Sequence, residues 1–155
     1  MRFIKEMIIC FSMMTAFNAS AYAENDSTIQ DSITNEAVSL EKSEKWNDII
    51  DAIAYIESRH DPNARCGNSV GLLQITPILV SECNNILKRR KSKKRFSLRD
   101  RLSVSKSKEM FNLIQSVYNP TKSLEKACKV WGCGPFSKKT NFVYIKKIKQ
   151  YLSRH

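Results

Sequence analysis

The chain has 155 residues and a mass of 17.8 kDa, the size of one ordinary domain, and its 42% hydrophobic residues can supply a real core. Its formal net charge of +11 predicts attraction to an anionic partner. Phe96 is the one aromatic residue in the basic stretch from residue 88 to 101, which argues against a stacking platform for single-stranded nucleic acid.

The first residues of the chain have the composition of a secretory signal peptide over residues 1–23. Arg2 and Lys5 precede an apolar run over residues 7–17, and Ala21-Tyr22-Ala23 is the small-x-small pattern that signal peptidase cuts. The run has about half of the roughly 20 apolar residues that a transmembrane helix requires. We therefore expect cleavage after Ala23, export to the periplasm or cell envelope, and no transmembrane segment after signal removal.

Export also decides how the basic residues and the cysteines are interpreted. Outside the cytoplasm the abundant polyanions are the cell wall and anionic lipid, so the basic stretch is expected to meet these or to form a solvated loop, without nucleic acid as a partner. An even number of cysteines in an exported chain predicts two disulfides, whose pairing the sequence leaves open. A zinc site is the alternative, but no CxxC pair is present. These cysteines are Cys66, Cys83, Cys128 and Cys133.

The pattern of apolar residues predicts a mainly α protein. Residues 24–43 are polar and are expected to form a flexible lead-in. Helical periodicity predicts helices over residues 43–58, 79–87, 105–118, 124–131 and 142–152. Asp61-Pro62 follows the end of the first helix, Ser105 is the predicted cap of the third, and Gly132 is expected to stop the fourth. The basic stretch up to residue 103 is expected to be a long loop, and no strand-like alternation persists anywhere.

Glu57 lies where the first helix would direct an apolar residue. The apolar stripe of that helix is made by Trp46, Ile49, Ile50, Ile53 and Ile56. Apolar surroundings and the negative end of the helix dipole both disfavour a charged carboxylate, so the pKa of Glu57 is expected to rise. A carboxylic acid that keeps its proton near neutral pH can protonate the leaving oxygen in glycosidic bond cleavage. The alternative is a helix-end glutamate paired with Arg59 or His60.

Four segments carry a resemblance to a known family. They are Glu57-Ser58, Pro62-Asn63-Ala64, Ser69-Val70-Gly71-Leu72-Leu73-Gln74-Ile75-Thr76-Pro77 and Trp131-Gly132-Cys133-Gly134-Pro135. Together they resemble the motifs of the lytic transglycosylase (SLT) family of lysozyme-like enzymes, over roughly residues 46–150. The resemblance implies a lysozyme-like single domain over residues 44–155, with several helices around a sugar-binding cleft.

The same resemblance assigns the catalytic roles. It makes Glu57 the single general acid and base, and it implies that Ser58, the next residue, orients the glutamate. A tyrosine on the last helix that supports the glutamate is best matched by Tyr144. A core aromatic position is the alternative for Tyr144.

Substrate binding is assigned by the resemblance to Gln74 and Ile75 in the Gly-Leu-x-Gln segment and to Trp131, whose apolar face suits a sugar ring. A core position for Trp131 and a loop hydrogen bond for Gln74 are the alternatives. The family usually has an asparagine where this chain has Gly132, and Cys133 fills the variable place. The loss of that amide affects how a substrate would be positioned.

The sequence offers no obvious second carboxylate for the site, whereas most glycosidases use two. Asp48 and Asp51 lie further back on the helix of Glu57, and Asp61 suits the turn before Pro62. The resemblance implies cleavage between N-acetylmuramic acid and N-acetylglucosamine, with Glu57 first protonating the glycosidic oxygen and then activating the muramyl 6-hydroxyl. The product is a 1,6-anhydro sugar, and no metal or organic cofactor is needed.

Other functions stay open at this point. A hydrolytic muramidase on the same fold would use Asp61 or another acid to position water. A non-catalytic wall-binding or assembly module would account for Gly132 and Cys133, and a nucleic-acid binder is the least supported. For the leading hypothesis the partner is the glycan strand of peptidoglycan, and an envelope-spanning secretion or conjugation machine is a further candidate partner.

Overall fold

A computed structural model describes residues 45–155 of the protein. The predicted signal peptide, the lead-in and the start of the first helix lie outside these residues. The described part is mainly α, which confirms the predicted class, and none of its helices is long and apolar enough to cross a membrane. The helices are α1 over residues 45–58, α2 over Pro77–Arg89, α3 over Val104–Tyr118, α4 over Leu124–Cys133 and α5 over Phe142–Leu152.

Helix α1 turns its apolar stripe towards the core. Ile50 and Ile53 are buried, and each such side chain contributes about 2 kcal/mol of hydrophobic stabilisation. Trp46 is buried against Phe111 of α3, with 5.8 Å between the ring centroids. The helix ends at residue 58, as predicted, and residues 59 and 60 then turn the chain with φ angles of 57° and 65°.

A short antiparallel hairpin, which the sequence did not predict, follows α1. Strand β1 (Arg65–Cys66) pairs with β2 (Ser69–Val70), and Val70 then exchanges two backbone hydrogen bonds with Ile75. Strands of two residues are too short to show an alternating pattern, so periodicity could not predict them. The closed turn over residues 71–74 contains the Gly-Leu-x-Gln segment.

Gly71 is needed where this turn meets a 3-10 helix over Leu98–Leu102. Its φ is +83°, and a Cβ atom at this position would collide with the carbonyl oxygen of Arg101. The Nη1 atom of Arg101 donates to the carbonyl oxygens of Asn68 (3.0 Å) and Ile75 (3.1 Å). The 3-10 helix therefore holds the turn in place. The prediction of a loop up to residue 103 is wrong for this segment.

Helices α2 and α3 both begin earlier than predicted because of their caps. Thr76 accepts a hydrogen bond from the backbone N–H of Leu79, and Pro77 suits the first helical turn. Ser103, rather than Ser105, caps α3 by accepting from the backbone N–H of Lys106. Two serines of equal capping preference lie two residues apart here, so residue type alone could not choose between them.

The four cysteines are free thiols, so the structure contains neither of the predicted disulfides. Burial raises the pKa of Cys83 on α2 to about 12 and the pKa of Cys128 on α4 to about 11, which makes both thiols poor nucleophiles. Cys66 is exposed on β1. Cys128 and Cys133 lie five residues apart on one helix, which directs their side chains about 140° apart and prevents their pairing.

Helices α4 and α5 pack against each other and close one end of the core. Ser123 caps α4, and the helix continues through Gly132, where it was expected to stop, to Cys133 before Gly134 ends it with a φ of +86°. Each of the two helices contributes buried side chains to the core; they are Ala127, Val130, Ile145 and Ile148. This packing sets the position of Tyr144, near the start of α5.

Candidate active site

A cleft of about 570 Å³ lies between the end of α1, the turn after β2, α2 and the last turn of α4. Glu57, Gln74 and Trp131 line it, so three of the predicted site residues meet in one cavity. Residues 132–135 also line it, which brings the second half of the motif resemblance to the first half. The structure thus brings together residues that are separated in the sequence by more than half of the described chain.

Glu57 is half-buried at the C-terminal end of α1. Burial raises the pKa of its carboxyl above the usual range, and a hydrogen bond from Tyr144 opposes part of that rise. The Tyr144 hydroxyl donates to Oε1 of Glu57 over 2.6 Å. Burial, together with the charge of Glu57, raises the pKa of Tyr144, so the phenol keeps its proton and stays the donor. The geometry is that of an acid supported by one neutral donor.

The two basic neighbours of Glu57 in sequence turn away from it. The Arg59 guanidinium lies over the ring of Tyr55, 4.3 Å from the ring centroid, and His60 Nε2 lies 3.2 Å from Asp51 Oδ1. Among residues 45–155, no cation lies within ion-pairing distance of Glu57. The structure therefore does not contain the helix-end ion pair that was the alternative for this residue.

Ser58 connects α1 to the turn rather than to the carboxyl group of Glu57. Its Oγ lies 2.7 Å from the Leu72 carbonyl oxygen and 3.1 Å from the Ala54 carbonyl oxygen, and its hydroxyl donates to them. The resemblance implied that this serine orients the glutamate. In the structure its contact is with the Gly-Leu-x-Gln turn, so it fixes the turn beside the end of α1.

Gln74 serves both the turn and the cleft, whereas Ile75 serves only the core. Gln74 has a φ of +50°, and its Nε2 donates to the carbonyl oxygens of Gly71 (2.9 Å) and Ala64 (3.2 Å). It therefore lines the cleft in a fixed orientation. Ile75 is 0% exposed and does not line the cleft, so its assignment to substrate binding is wrong. Adjacent residues at the end of a tight turn point to opposite sides.

Trp131 is half-buried on α4 and fixed on two sides. Its Nε1 donates to the Leu73 carbonyl oxygen over 3.1 Å, and its ring lies 4.7 Å from that of Phe111, measured between centroids. Trp131 is a core aromatic that also lines the cleft, so its core position is compatible with contact between its ring and a substrate. Gly132, the next residue, is close to Tyr144, because a Cβ atom on it would lie 3.1 Å from Cδ1 of that ring.

The aspartates considered for a second carboxyl group do not line the cleft. Asp61 Oδ1 accepts a hydrogen bond from the backbone N–H of Asn63 over 2.8 Å, which is the turn role expected for it. Asp51 accepts from the Tyr151 hydroxyl over 2.8 Å, in addition to its contact with His60. Neither aspartate is placed to act with Glu57.

The carboxyl group that does share the cleft with Glu57 is that of Glu82, which sequence analysis missed. Its Oε1 accepts from the Tyr118 hydroxyl (2.7 Å) and from Arg89 Nη2 (3.0 Å). Burial raises its pKa, but these bonds, one from Asn85 and the charge of Arg89 outweigh that, so its pKa lies below the usual range. The one signal in the sequence is that Ile78, Glu82 and Asn85 share a helix face.

Neither a metal site among the described residues nor a match to a known protein was found. In residues 45–155, no group of three or more histidine, cysteine, aspartate or glutamate side chains is placed to hold a metal ion. Comparisons of the chain with protein-family models, with curated proteins and with solved structures found no match.

Proposed function

We propose that this protein is an exported peptidoglycan lytic transglycosylase with a lysozyme-like fold, which cleaves the bond between N-acetylmuramic acid and N-acetylglucosamine. The observation that supports this most is the environment of Glu57. Its carboxyl is half-buried in a cleft, its pKa is raised by burial, and the Tyr144 hydroxyl reaches it from a helix 87 residues away. A carboxyl group whose pKa is raised by burial, beside a cavity large enough for sugars, suits glycosidic cleavage.

The reaction can be written with Glu57 as the only acid and base. Protonated Glu57 gives its proton to the glycosidic oxygen as the bond from that oxygen to the muramyl C1 breaks. The acetamido group of the substrate stabilises the cationic C1. The Glu57 carboxylate then takes the proton of the muramyl 6-hydroxyl, whose oxygen bonds to C1. Glu57 ends protonated, no water is consumed, and a 1,6-anhydro sugar is formed.

Tyr144 has a defined part in this cycle. Glu57 must give a proton in the first step and carry a negative charge before the second. Burial favours the protonated form, while the hydroxyl of Tyr144 donates to Oε1 and stabilises the charged form. The two effects together keep the pKa between extremes, which is where one group can act as both acid and base.

The test is digestion of purified peptidoglycan by the exported protein, with the products identified by mass spectrometry. We expect anhydro-muropeptides, and we expect Glu57→Gln to lower their yield at least ~100-fold, because general acid catalysis is worth about 10²–10⁴ in rate. Glu125→Gln is the control, since Glu125 is exposed, pairs with Lys149 and does not line the cleft. Intact glycan strands after digestion by folded protein would contradict the proposal.

A second candidate is a hydrolytic muramidase, and Glu82 is the observation that favours it. Hydrolysis usually requires a second carboxylate to activate or position water, and Glu82 lines the same cleft as Glu57. The digest separates the two reactions by mass. Hydrolysis leaves a reducing end, and its product is heavier than the anhydro product by one water.

A further inference from the structure

On one wall of the cleft, α2 and the loop after α4 place polar and apolar side chains that the proposed reaction does not use. Ile78, Glu82 and Asn85 follow each other at helical spacing and all line the cleft. Phe136, from the loop after α4, lines the same cavity. This wall therefore combines a carboxylate and an amide with two large apolar side chains.

Glu82 is held in one orientation. Its side chain is 19% exposed, and both donors to its Oε1, the Tyr118 hydroxyl and Arg89 Nη2, lie within 3.0 Å. Because its pKa is lowered, it is ionised at neutral pH. A fixed, ionised carboxylate accepts hydrogen bonds and cannot donate them.

The second oxygen of Glu82 has capacity for a further donor. Its Oε2 accepts a contact of 3.4 Å from Asn85 Nδ2, which is longer than the usual N–H···O distance of about 2.9–3.0 Å. A carboxylate oxygen has two lone-pair sites. Oε2 can therefore accept a short hydrogen bond from a hydroxyl or amide group of a molecule in the cleft.

Two apolar side chains beside Glu82 are exposed to an unusual degree. Ile78 is 82% exposed and Phe136 is 79% exposed. Phe136 meets Tyr118 edge to face, with 5.4 Å between ring centroids, and Tyr118 is the residue that donates to Glu82. The apolar surface and the carboxylate are thus parts of one connected arrangement. A sugar ring offers the matching surface, with an apolar C–H face and a rim of hydroxyl and amide donors.

We infer that Glu82 and Phe136 form a second saccharide subsite, in which Glu82 Oε2 accepts a hydrogen bond from a hydroxyl or acetamido N–H of the glycan while Phe136 covers the ring. The inference rests on the proposed function, since that supplies the glycan. This subsite holds a sugar unit other than the one whose bond is protonated by Glu57. Its purpose is to bind the strand, so Glu82 sets affinity rather than reaction rate.

Two other roles for Glu82 fit the structure less well. As a base for water it would be weak, because a carboxylate with a lowered pKa holds protons poorly. A purely structural role, in which Glu82 links α2 to α3, would explain its hydrogen bond from Tyr118. That role gives no reason for Ile78 and Phe136 to be exposed in the same cavity.

The test measures binding of peptide-free glycan strands of alternating N-acetylmuramic acid and N-acetylglucosamine by calorimetry. The exported chain carries Glu57→Gln, so that strands are not cleaved during the titration. Adding Glu82→Ala is expected to weaken binding roughly tenfold or more, as for loss of a hydrogen bond to a charged group. Adding Glu82→Gln, which keeps one acceptor oxygen, is expected to weaken it less. Adding Phe136→Ala is expected to weaken it roughly threefold to tenfold.

Matched controls are present in the chain. Glu125→Gln removes an exposed carboxylate that pairs with Lys149, and Phe142→Ala removes a ring that is 77% exposed; neither residue lines the cleft. Both should bind like the Glu57→Gln parent. Since Phe136 is so exposed, its removal leaves the core intact, and circular dichroism will show whether the Glu82 variants are folded.

The outcomes separate this inference from the proposed function. If Glu57→Gln binds the strands and the Glu82 and Phe136 variants bind equally well, the subsite is wrong and the proposed function stands. If the strands bind to none of the proteins and wild type leaves peptidoglycan intact, the proposed function fails and the subsite with it. In steady-state digestion by otherwise wild-type protein, Glu82→Gln should raise KM and leave kcat within about twofold. A fall in kcat at constant KM would overturn the subsite in favour of a role in the chemistry.

Discussion

Glu57 and Glu82 line the same cleft, but their surroundings shift their pKa values in opposite directions. Burial is the largest influence on both and raises both values. At Glu57 one neutral donor, Tyr144, opposes burial and does not overcome it. At Glu82 a phenol, an amide and a guanidinium oppose it, and together they reverse the shift.

Burial alone therefore does not decide which carboxyl group keeps a proton. What decides is how many donors point at it and whether one of them is charged. The cleft therefore contains one group whose raised pKa suits it to give a proton and one that is negatively charged at neutral pH. Pairs of titratable groups whose environments push their pKa values apart are a common sign of divided roles in an active site.

Tyr144→Phe should have the largest effect on the difference between the pKa values of Glu57 and Glu82. Removing the hydroxyl takes away the donor that stabilises the charged form of Glu57, so the pKa of Glu57 rises further. We expect the alkaline limb of the pH profile of kcat to move to higher pH, because Glu57 acts first as an acid in the proposed reaction. We also expect kcat at neutral pH to fall roughly tenfold, the size of effect seen for a hydrogen bond to a charged group.

Tyr118→Phe is the control for that experiment, since it removes the corresponding hydroxyl from Glu82. Its effect should be to raise the pKa of Glu82 towards the usual range while the alkaline limb of kcat stays in place. If both tyrosine variants moved that limb equally, the two carboxyl groups would not have separate roles.

Glu57→Gln and Glu82→Gln should change the free energy of unfolding in opposite directions at pH 7. Glu57 has a raised pKa in the folded state, so wild type loses stability as pH rises through the window between its unfolded and folded pKa values. Glu57→Gln escapes that loss and gains on the order of 1 kcal/mol. Glu82 has a lowered pKa, so its contribution is present at pH 7 and is lost as pH falls below the unfolded value. Glu82→Gln therefore loses about 1 kcal/mol or less.

Urea denaturation of the three proteins at pH 7 and at a pH below the carboxyl pKa values measures these differences. At the low pH both glutamates of wild type approach their protonated forms, so both differences should shrink towards zero. Equal signs for the two variants at pH 7 would contradict the opposite pKa shifts.

The position of Glu57 at the end of α1 and the rise of its pKa could be predicted because their signal is local. The apolar stripe of α1 and the nearby Pro62 gave the helix, its end and the unusual position of the carboxyl. Tyr144 was found through the motif resemblance, although the 2.6 Å bond that joins it to Glu57 depends on how α4 and α5 pack. Assigning Ile75 to the substrate failed, because neighbours in a motif need not face the same way after a tight turn.

Glu82 could not be found in the same way, because its character comes from distant residues. Tyr118 lies 36 residues further along the chain, and Phe136 approaches from the loop after α4. In the sequence, a glutamate seven residues before Arg89 on a basic helix resembles an ordinary surface ion pair. Only tertiary packing shows that this pair is at the wall of a cavity and that the carboxylate has a free face.

Gly132→Ala should have the smallest effect, and it tests how Tyr144 comes to reach Glu57. Gly132 is helical, so its backbone does not require glycine, and alanine would favour the helix by up to about 1 kcal/mol. Its Cβ would, however, lie 3.1 Å and 3.3 Å from two atoms of the Tyr144 ring, which is closer than ordinary contact. The ring must move by a few tenths of an ångström, which lengthens its bond to Glu57. We expect the alkaline limb of kcat to shift in the same direction as in Tyr144→Phe, but by less.

The double variant Gly132→Ala with Tyr144→Phe tests whether Gly132 affects Glu57 through the Tyr144 hydroxyl. If the glycine acts through the tyrosine hydroxyl, adding Gly132→Ala to Tyr144→Phe will leave the pH profile unchanged, since the bond to Glu57 is already lost. An additive shift would show that Gly132 affects the cleft by another route, such as direct contact with substrate. The absence of a side chain at residue 132 would then be a feature of the binding surface rather than of the packing of α4 on α5.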